Sequence, residues 1–148
     1  MGEHEASATP SDVLVALGLG SCIGLVLCDV SAGAVGLAHV MLPESARGME
    51  GEAPKFADSA VPALVDLMAG LGAVPRRLEA VLAGGAAMFS LSSSPRLEIG
   101  SRNEAAVRAA LAKAGIPVRA AATAGSSGRT VRAYPDGCRV TVKEAGGT

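Results

Sequence analysis

The sequence predicts an α+β fold in one domain that spans residues 1–148. The chain is long enough for a single hydrophobic core that buries roughly two thirds of the unfolded surface. Short apolar runs between glycine-rich turns are typical of β-strands, and two longer segments with helical spacing are typical of helices. Because aromatic residues are only 2% of the chain, small aliphatic side chains must form the core in tight layers. We therefore expect a mixed, largely antiparallel β-sheet with two or three flanking helices.

The N-terminal part of the chain is predicted to contain a flexible arm and three strands. The arm covers residues 1–11. The strands are expected over residues 12–17, 23–30 and 35–42. The short turns between them favour antiparallel pairing. In the third strand, the two-residue period places His39 on the same face as Val35 and Leu37, so its imidazole projects among apolar neighbours.

The middle of the chain is predicted to form a surface loop, a helix and a strand. Proline, glycine and charged residues indicate the loop over residues 43–54. A helix follows from about residue 58, and Pro62 must lie in its first turn because proline lacks a backbone N–H donor. The apolar residues at helical spacing are Ala60, Leu64, Leu67 and Leu71. A strand over residues 78–85 ends at a glycine pair.

The C-terminal part is predicted to contain a helix, a strand and a hairpin. Ser101 and Glu104 match the S-x-x-E capping box, and Gly115 followed by Pro117 ends the helix. A strand is expected over residues 116–124. The last apolar runs predict a β-hairpin whose bend is the Pro-Asp-Gly sequence at residues 135–137.

Charge and composition exclude several functional classes. The formal net charge is -1, and the scattered Lys and Arg residues lack the basic patch that nucleic-acid binding requires. The apolar run over residues 23–28 is too short to cross a bilayer, so no membrane insertion is expected. The N-terminus is acidic and polar, unlike a signal peptide, and three cysteines without close pairing fit a reducing compartment. We therefore expect a cytoplasmic protein.

The stretch "LGLGSCIG" places Cys22 directly after a glycine-rich turn and directly before an apolar strand. A thiol nucleophile needs a base, and it needs donors for the oxyanion that forms on an attacked carbonyl. His39 would supply the base if its strand pairs antiparallel with the strand after Cys22. Gly18 and Gly20 let the turn tighten, so that the amides of Ser21 and Cys22 can face the oxyanion. The alternative is that Cys22 and His39 are both packed core residues.

Other candidate residues have weaker patterns. Cys28 and Cys138 are predicted to be core cysteines in the middle of strands. The paired Cys or His spacing of zinc ligands is missing, so no metal site is expected. Ser21 as a nucleophile would need a helix after it, whereas an apolar strand follows. The segments "AGGAAMF" and "GSSGRTV" are either ligand loops or tight turns, and Arg129 either orients an acidic or amide group or lies in solvent.

Six segments carry a resemblance to a known family. In chain order they are "LGLGSCIGLVLCD", "GLAHVMLPES", "KFADSAVPALVDLM", "AGGAAMF", "IGSRNEAAVRAALAKAGIPV" and "GSSGRTV". Taken together they resemble the chemoreceptor glutamine deamidase family, CheD. The resemblance extends from about residue 14 to about residue 143, and the number and order of its motifs are far more specific than any single motif.

The resemblance implies that Cys22 is the nucleophile and that His39 is its general base and acid. Members of this family hydrolyse glutamine side-chain amides in methyl-accepting chemotaxis receptors, through a thioester and without a cofactor. The implied fold is a compact layered sandwich similar to the catalytic domains of deamidating toxins. The family also binds the CheC phosphatase, and we expect that contact near Arg102 and Arg108.

One position departs from the family pattern. The family commonly has a threonine six residues before the cysteine, as a third polar group beside Cys and His, and this chain has Ala16. A methyl group cannot hydrogen-bond an imidazole, so the orienting group must be a backbone carbonyl, another side chain such as Ser21, or absent. The first interpretation is a deamidase, whose chemistry would also extend to methyl esters. Two further interpretations stay open. One is a regulatory module that binds receptors or the phosphatase without turnover, and the other is a domain whose Cys and His are merely packed.

Overall fold

Two β-sheets and two helices are stacked in three layers in the described part of the chain. The structure, a computed structural model, describes residues 4–40, 57–86, 99–123, 125 and 127–144. The strands are β1 (His4–Ser7), β2 (Leu14–Leu19), β3 (Ile23–Asp29), β4 (Ala34–Val40), β5 (Glu79–Gly84), β6 (Val118–Thr123), β7 (Arg129–Tyr134) and β8 (Arg139–Glu144), and the helices are α1 (Ala57–Ala69) and α2 (Ile99–Ala114).

The larger sheet has five strands in the order β1-β4-β3-β5-β6, and the smaller sheet has three in the order β2-β7-β8. The pairing of β5 with β6 is parallel, and α2 connects these two strands. Every other strand pair in the described residues is antiparallel. The predicted α+β sandwich with a mixed, largely antiparallel sheet is therefore confirmed.

The five-stranded sheet is covered on both faces. In β3, Ile23, Leu25 and Leu27 pack toward the helices, whereas Val26 and Cys28 pack toward the three-stranded sheet. All residues of β3 are buried. Burial on both faces explains why this strand is apolar throughout instead of alternating between apolar and polar residues.

The N-terminal predictions are wrong in two respects. Residues 1–11 are not all a flexible arm, because His4–Ser7 form β1 and pair with β4. This edge strand pairs with β4 along all four of its residues, which the polar composition of the segment does not reveal. In addition, β2 does not pair with β3 as its short turn suggests, since it crosses to the smaller sheet and pairs with β7.

Both helices exist, but several details of their predictions are wrong. Pro62 lies inside α1 rather than in its first turn, and it is tolerated on an exposed face of the helix. Leu67 and Leu71 are 39% and 38% exposed, because Val61, Leu64 and Met68 form the buried stripe instead. The capping box is absent, since α2 begins at Ile99, two residues before Ser101.

The end of α2 is as predicted. Gly115 adopts a left-handed backbone with φ of 75°. The amide of Ile116 then bonds the carbonyl of Leu111 at 2.9 Å, as in a Schellman ending. The C-terminal hairpin is also confirmed, with β7 and β8 joined by a 3₁₀ turn over Asp136–Cys138. The predicted loop over residues 43–54 lies outside the described residues.

A buried ion pair fixes the end of β3. Asp29 has no exposed surface, and its carboxylate accepts hydrogen bonds from Arg77 at 2.9 to 3.1 Å. The backbone amides of Val74 and Ala32 donate to the same carboxylate at 2.8 and 3.2 Å. Burial alone would raise the pKa of Asp29, but these hydrogen bonds outweigh it and lower the pKa below its ordinary value.

We predict that Asp29→Asn lowers the free energy of unfolding by about 1–3 kcal/mol at neutral pH, because a buried acceptor of charged and backbone donors is lost. The lowered pKa means that the carboxylate stabilises the fold above its ordinary pKa of 3.8, and that this contribution disappears as the pH falls through the lower folded-state value. The difference in free energy of unfolding between Asp29→Asn and the parent should therefore become smaller at acid pH. Urea unfolding at several pH values measures it.

The matched control for this prediction is Asp66→Asn, which removes the same charge from an exposed position on α1. We expect its free energy of unfolding to stay within about 0.5 kcal/mol of the parent. Equal stability of the two variants at neutral pH would show that the Asp29 hydrogen bonds contribute nothing net.

Candidate functional site

Cys22 lies at the end of a tight turn that leads into β3. The turn begins at a β-bulge in β2, where Gly18 has a φ of 62° and the register shifts between Ala16 and Leu19. The bulge lets both Ala16 and Leu19 point into the space between the sheets, although they are three residues apart. It also bends the chain out of the smaller sheet and toward Cys22.

The turn is bonded to the end of β5 through its backbone. The carbonyl of Gly20 accepts from the amide of Ala86 at 2.9 Å, and the carbonyl of Cys22 accepts from the amide of Gly85 at 2.9 Å. These two main-chain hydrogen bonds, one on each side of Ser21, fix the position of Cys22. A cysteine on such a turn is held in place rather than free to move with a loop.

Close backbone approach at this point requires glycine. Gly84 has a φ of 103°, and a Cβ there would overlap the carbonyl oxygen of Cys22. A Cβ on Gly100, in the first turn of α2, would overlap the carbonyl of Gly85. The described part of "AGGAAMF" is thus a tight strand exit that supports the cysteine turn, and residues 87–89 lie outside the described residues.

Asn103 is a supporting residue that the sequence predictions missed. Its side chain is fully buried, and its amide nitrogen donates to the carbonyl of Ser21 at 2.8 Å. Its Oδ1 atom is buried without a hydrogen-bond partner among the described residues. Asn103 lies four and eight residues before Val107 and Leu111, which are also fully buried. A polar residue on the buried stripe of an amphipathic helix was the signal that could have identified it.

Cys22 and His39 face the same side of the larger sheet. His39 lies in β4 opposite Gly24 of β3, and the antiparallel pairing on which their meeting depends is present. A Cβ on Gly24 would contact Leu19 and Val131, so this face looks toward the smaller sheet. Cys22 is two residues before Gly24 and packs against the same apolar layer. The strands therefore place the thiol and the imidazole at diagonal positions on one face.

A cavity of about 290 Å³ opens beside His39, at the edge of the space between the two sheets. The residues that line it are His4, Glu5, Val15, Ala16, Leu17, Leu37 and His39. Ala16 and His39 therefore face the same cavity. Cys22 is not among the described residues of the lining, and it lies on the β3 side of His39.

The three cysteines have different environments. Cys22 is half-buried, and burial raises its pKa above the ordinary value of 9.0. Cys28 is fully buried, and desolvation together with neighbouring Cys138 raises its pKa to about 12. Cys138 is also buried, but it follows a glycine in a 3₁₀ turn, so its prediction as a mid-strand residue is wrong. Only Cys22 combines partial exposure with a structured turn in the described residues.

The predicted arginines have different roles in the structure. Arg129 is not solvated, because its side chain is 7% exposed and donates to the carbonyl of Gly84 and to Glu144, both at 3.2 Å. It therefore supports the same strand end as the cysteine turn. Arg102 and Arg108 are exposed on α2, and Arg108 forms an ion pair with Glu104 at 2.9 Å. The described residues contain no cluster of metal-ligating side chains.

The fold and this site define an α+β sandwich protein that presents one half-buried cysteine from a turn fixed to a neighbouring strand and helix. The chain belongs to the CheD family. The family described as CheD chemotactic sensory transduction matches residues 41–144, and curated relatives with the same family name match almost the full length of the chain. The family predicted from the sequence motifs is thereby confirmed.

Two relatives and one solved structure illustrate the similarity. The "Probable chemoreceptor glutamine deamidase CheD" of Symbiobacterium thermophilum is 44% identical over 149 residues, which cover 99% of this chain and 90% of the relative. The "Chemoreceptor glutamine deamidase CheD" of Halalkalibacterium halodurans is 40% identical over 138 residues, which cover 91% of this chain and 85% of the relative. The crystal structure of Bacillus licheniformis hypothetical protein YfiH aligns with 83% of this chain at a TM-score of 0.49 and 19% identity, and this chain spans half of its length. In the described residues, neither helix is long and apolar enough to span a membrane.

We predict that Gly84→Ala destabilises the chain far more than Gly33→Ala. Both glycines have a positive φ, so both substitutions strain the backbone by about 1–2 kcal/mol. A Cβ at Gly33 meets open space, whereas a Cβ at Gly84 must displace the Cys22 carbonyl, which adds about 1–3 kcal/mol. Urea unfolding measures the difference. Equal losses of unfolding free energy in the two variants would show that the Cys22 turn shifts to accept the Cβ at no energetic cost.

We predict that Cys22 is alkylated by iodoacetamide before Cys28 and Cys138 in the folded chain. Its side chain reaches solvent, whereas the other two are buried. Because the thiolate is the reactive form and burial raises the pKa of Cys22, the rate should rise as the pH approaches 9.0. Peptide mass spectrometry identifies the labelled residue, and the urea-unfolded chain is the control in which all three react. Labelling of Cys28 or Cys138 at the rate of Cys22 in the folded chain would contradict the described burial.

Proposed function

We propose that this chain is a chemoreceptor glutamine deamidase, which converts glutamine side chains of methyl-accepting chemotaxis receptors to glutamates. The observation that carries the proposal is the fixed turn that presents Cys22 on the same sheet face as His39. Relatives named for this activity, at 44% and 40% identity, support it. We also propose that it acts in the cytoplasm, as one domain formed from residues 1–148.

In the proposed mechanism, Cys22 is the nucleophile and His39 is the general base and acid. The Sγ atom attacks the carboxamide carbon while His39 accepts the thiol proton, which is needed because burial favours the protonated thiol. The tetrahedral intermediate then breaks its C–N bond, and ammonia leaves with the proton from His39. His39 next deprotonates a water molecule that attacks the thioester. The C–S bond breaks, and Cys22 takes back the proton as glutamate forms.

The turn before Cys22 offers a site for the oxyanion. The backbone amides of Ser21 and Cys22 are the donors that we assign to it, and Gly20 permits the tight conformation. The side-chain amide of Asn103 donates to the carbonyl of Ser21, which belongs to the same peptide group as the Cys22 amide. Hydrogen bonding to that carbonyl polarises the peptide and makes its N–H a stronger donor. This mechanism uses no metal and no organic cofactor.

A second candidate function is a regulatory module that binds receptors or the CheC phosphatase with little or no turnover. Ala16 favours it, because the β2 wall of the cavity that His39 lines consists of apolar side chains only. For the phosphatase we propose a contact through Arg102 and Arg108. Both lie on the exposed side of α2, although Arg108 is already paired with Glu104, which also accepts a hydrogen bond from Thr123. Arg102 is therefore the more available cation of the two.

We predict that the parent chain converts glutamines of a chemoreceptor cytoplasmic fragment and that Cys22→Ala does not. Each conversion adds roughly one dalton, because amide hydrolysis replaces NH₂ by OH. Peptide mass spectrometry measures the gain. His39→Gln should lower the rate by about 10²–10⁴-fold, the usual contribution of a general base.

The matched control is Cys28→Ala, which removes a thiol from the apolar layer on the same face but not from the turn. Under conditions in which Cys28→Ala is folded, it should have the same activity as the parent. Conversion by Cys22→Ala would exclude the proposed nucleophile. Binding of the fragment without conversion by the parent would support the regulatory module instead.

A further inference from the structure

The edge strand β1 brings a carboxylate to the far side of His39. In the antiparallel ladder, Glu5 pairs with Leu37, which lies two residues before His39 on β4. Leu37 points toward the smaller sheet, and so does Ser7's partner Val35. Ala6 packs on the opposite, helical side. The two-residue period of the strand therefore puts Glu5 and His39 on the same face of the sheet.

The strand order fixes the order in which Glu5, His39 and Cys22 lie across this face. Because β4 lies between β1 and β3, Glu5 lies on one side of His39 and Cys22 lies on the other. Diagonal neighbours in an antiparallel pair have Cα atoms about 7–8 Å apart, a span that long side chains can bridge. A glutamate is long enough to reach an imidazole at that position.

The same arrangement appears in the cavity beside His39. Glu5 and His39 both line it, together with His4 from β1. The wall from β2 consists of Val15, Ala16 and Leu17, and no residue of Leu14–Leu19 has an ionisable side chain. Among the described residues near His39, the ionisable side chains on this face are therefore Glu5, the Cys22 thiol and, from β7, Arg129. His4 pairs with Ala38, so its side chain points to the helical side. On β7, Arg129 lies opposite Leu19, beside the cysteine turn, where it donates to the carbonyl of Gly84 and to the carboxylate of Glu144.

We propose that Glu5 is a positioning residue for His39, with its carboxylate directed at the imidazole from β1 so that the ring faces Cys22. The inference rests on the proposed function, in which His39 moves the proton. An imidazole that serves as a base works best when a third group fixes its ring and stabilises its protonated form. Glu5, on a strand outside the β3–β4 pair, both fixes the ring and stabilises its protonated form. Ala16, on the opposite wall, does neither.

Glu5→Gln tests this role without disturbing the core, since Glu5 is exposed and glutamine has the same shape. Loss of the carboxylate should lower the titration midpoint of the His39 imidazole, which NMR follows in the full chain. Only two histidines are present, so His4→Gln assigns the signals. The acidic limb of the kcat/KM profile should move to lower pH in parallel. We expect kcat to fall about tenfold with little change in KM, as part of the 10²–10⁴-fold effect of a general base.

The matched control is Asp66→Asn, which removes one negative charge from α1 on the other side of the sheet. It should leave the His39 midpoint and kcat unchanged. A midpoint that is the same in Glu5→Gln and in the parent overturns the proposal, whatever the activity. A rise in KM with an unchanged midpoint also overturns it, since Glu5 would then contact the receptor. If the midpoint falls but the parent converts no glutamine, the positioning of His39 by Glu5 is supported and the proposed function fails.

Discussion

The arrangement of the site depends on the main-chain contact between the cysteine turn and the exit of β5. Carbonyls of Gly20 and Cys22 bond amides of the segment after Gly84, and this segment in turn rests against the first turn of α2. Three distant parts of the chain thus meet through backbone atoms, where side chains would keep them apart. Asn103 and Arg129 add hydrogen bonds to the same region from α2 and β7. The segments that contain Gly84, Asn103 and Arg129, which are distant in the sequence, therefore act as the scaffold of this turn.

The five-stranded sheet also positions the residues of the site. Paired strands give each residue a fixed side, and the order β1-β4-β3 gives each one a fixed neighbour. His39 is the central member of this arrangement, between the turn that presents the thiol and the edge strand that presents a carboxylate. The helices contribute by covering the opposite face, which leaves the face toward the smaller sheet for the candidate chemistry.

The local parts of this description could be predicted from the sequence, and the long-range parts could not. Periodicity and turn residues identified β3, β4, α2 and the last hairpin, because those signals depend on near neighbours. They could not assign β2 to the smaller sheet or recruit His4–Ser7 as an edge strand, since strand pairing is decided by tertiary contacts. Cys22 and His39 stood out by residue type and place. Asn103 had a signal in its place on the apolar stripe of α2, but its partner Ser21 is 82 residues away and is revealed only by the fold. Glu5 had no such signal, because its place beside His39 depends on the pairing of β1 with β4.

The burial of β3 on both faces restricts how sequences of this kind can change in length. Side chains alternate between the two faces, so one residue inserted between Cys22 and Gly24 would turn the thiol from the smaller sheet toward the helices. A shift within β3 would also exchange the residues packed on α1 and α2 with those packed on β2 and β7. Loops at other points of the chain can lengthen at little cost in loop-closure entropy. Between the cysteine and its strand, insertions and deletions are expected to be absent among active relatives.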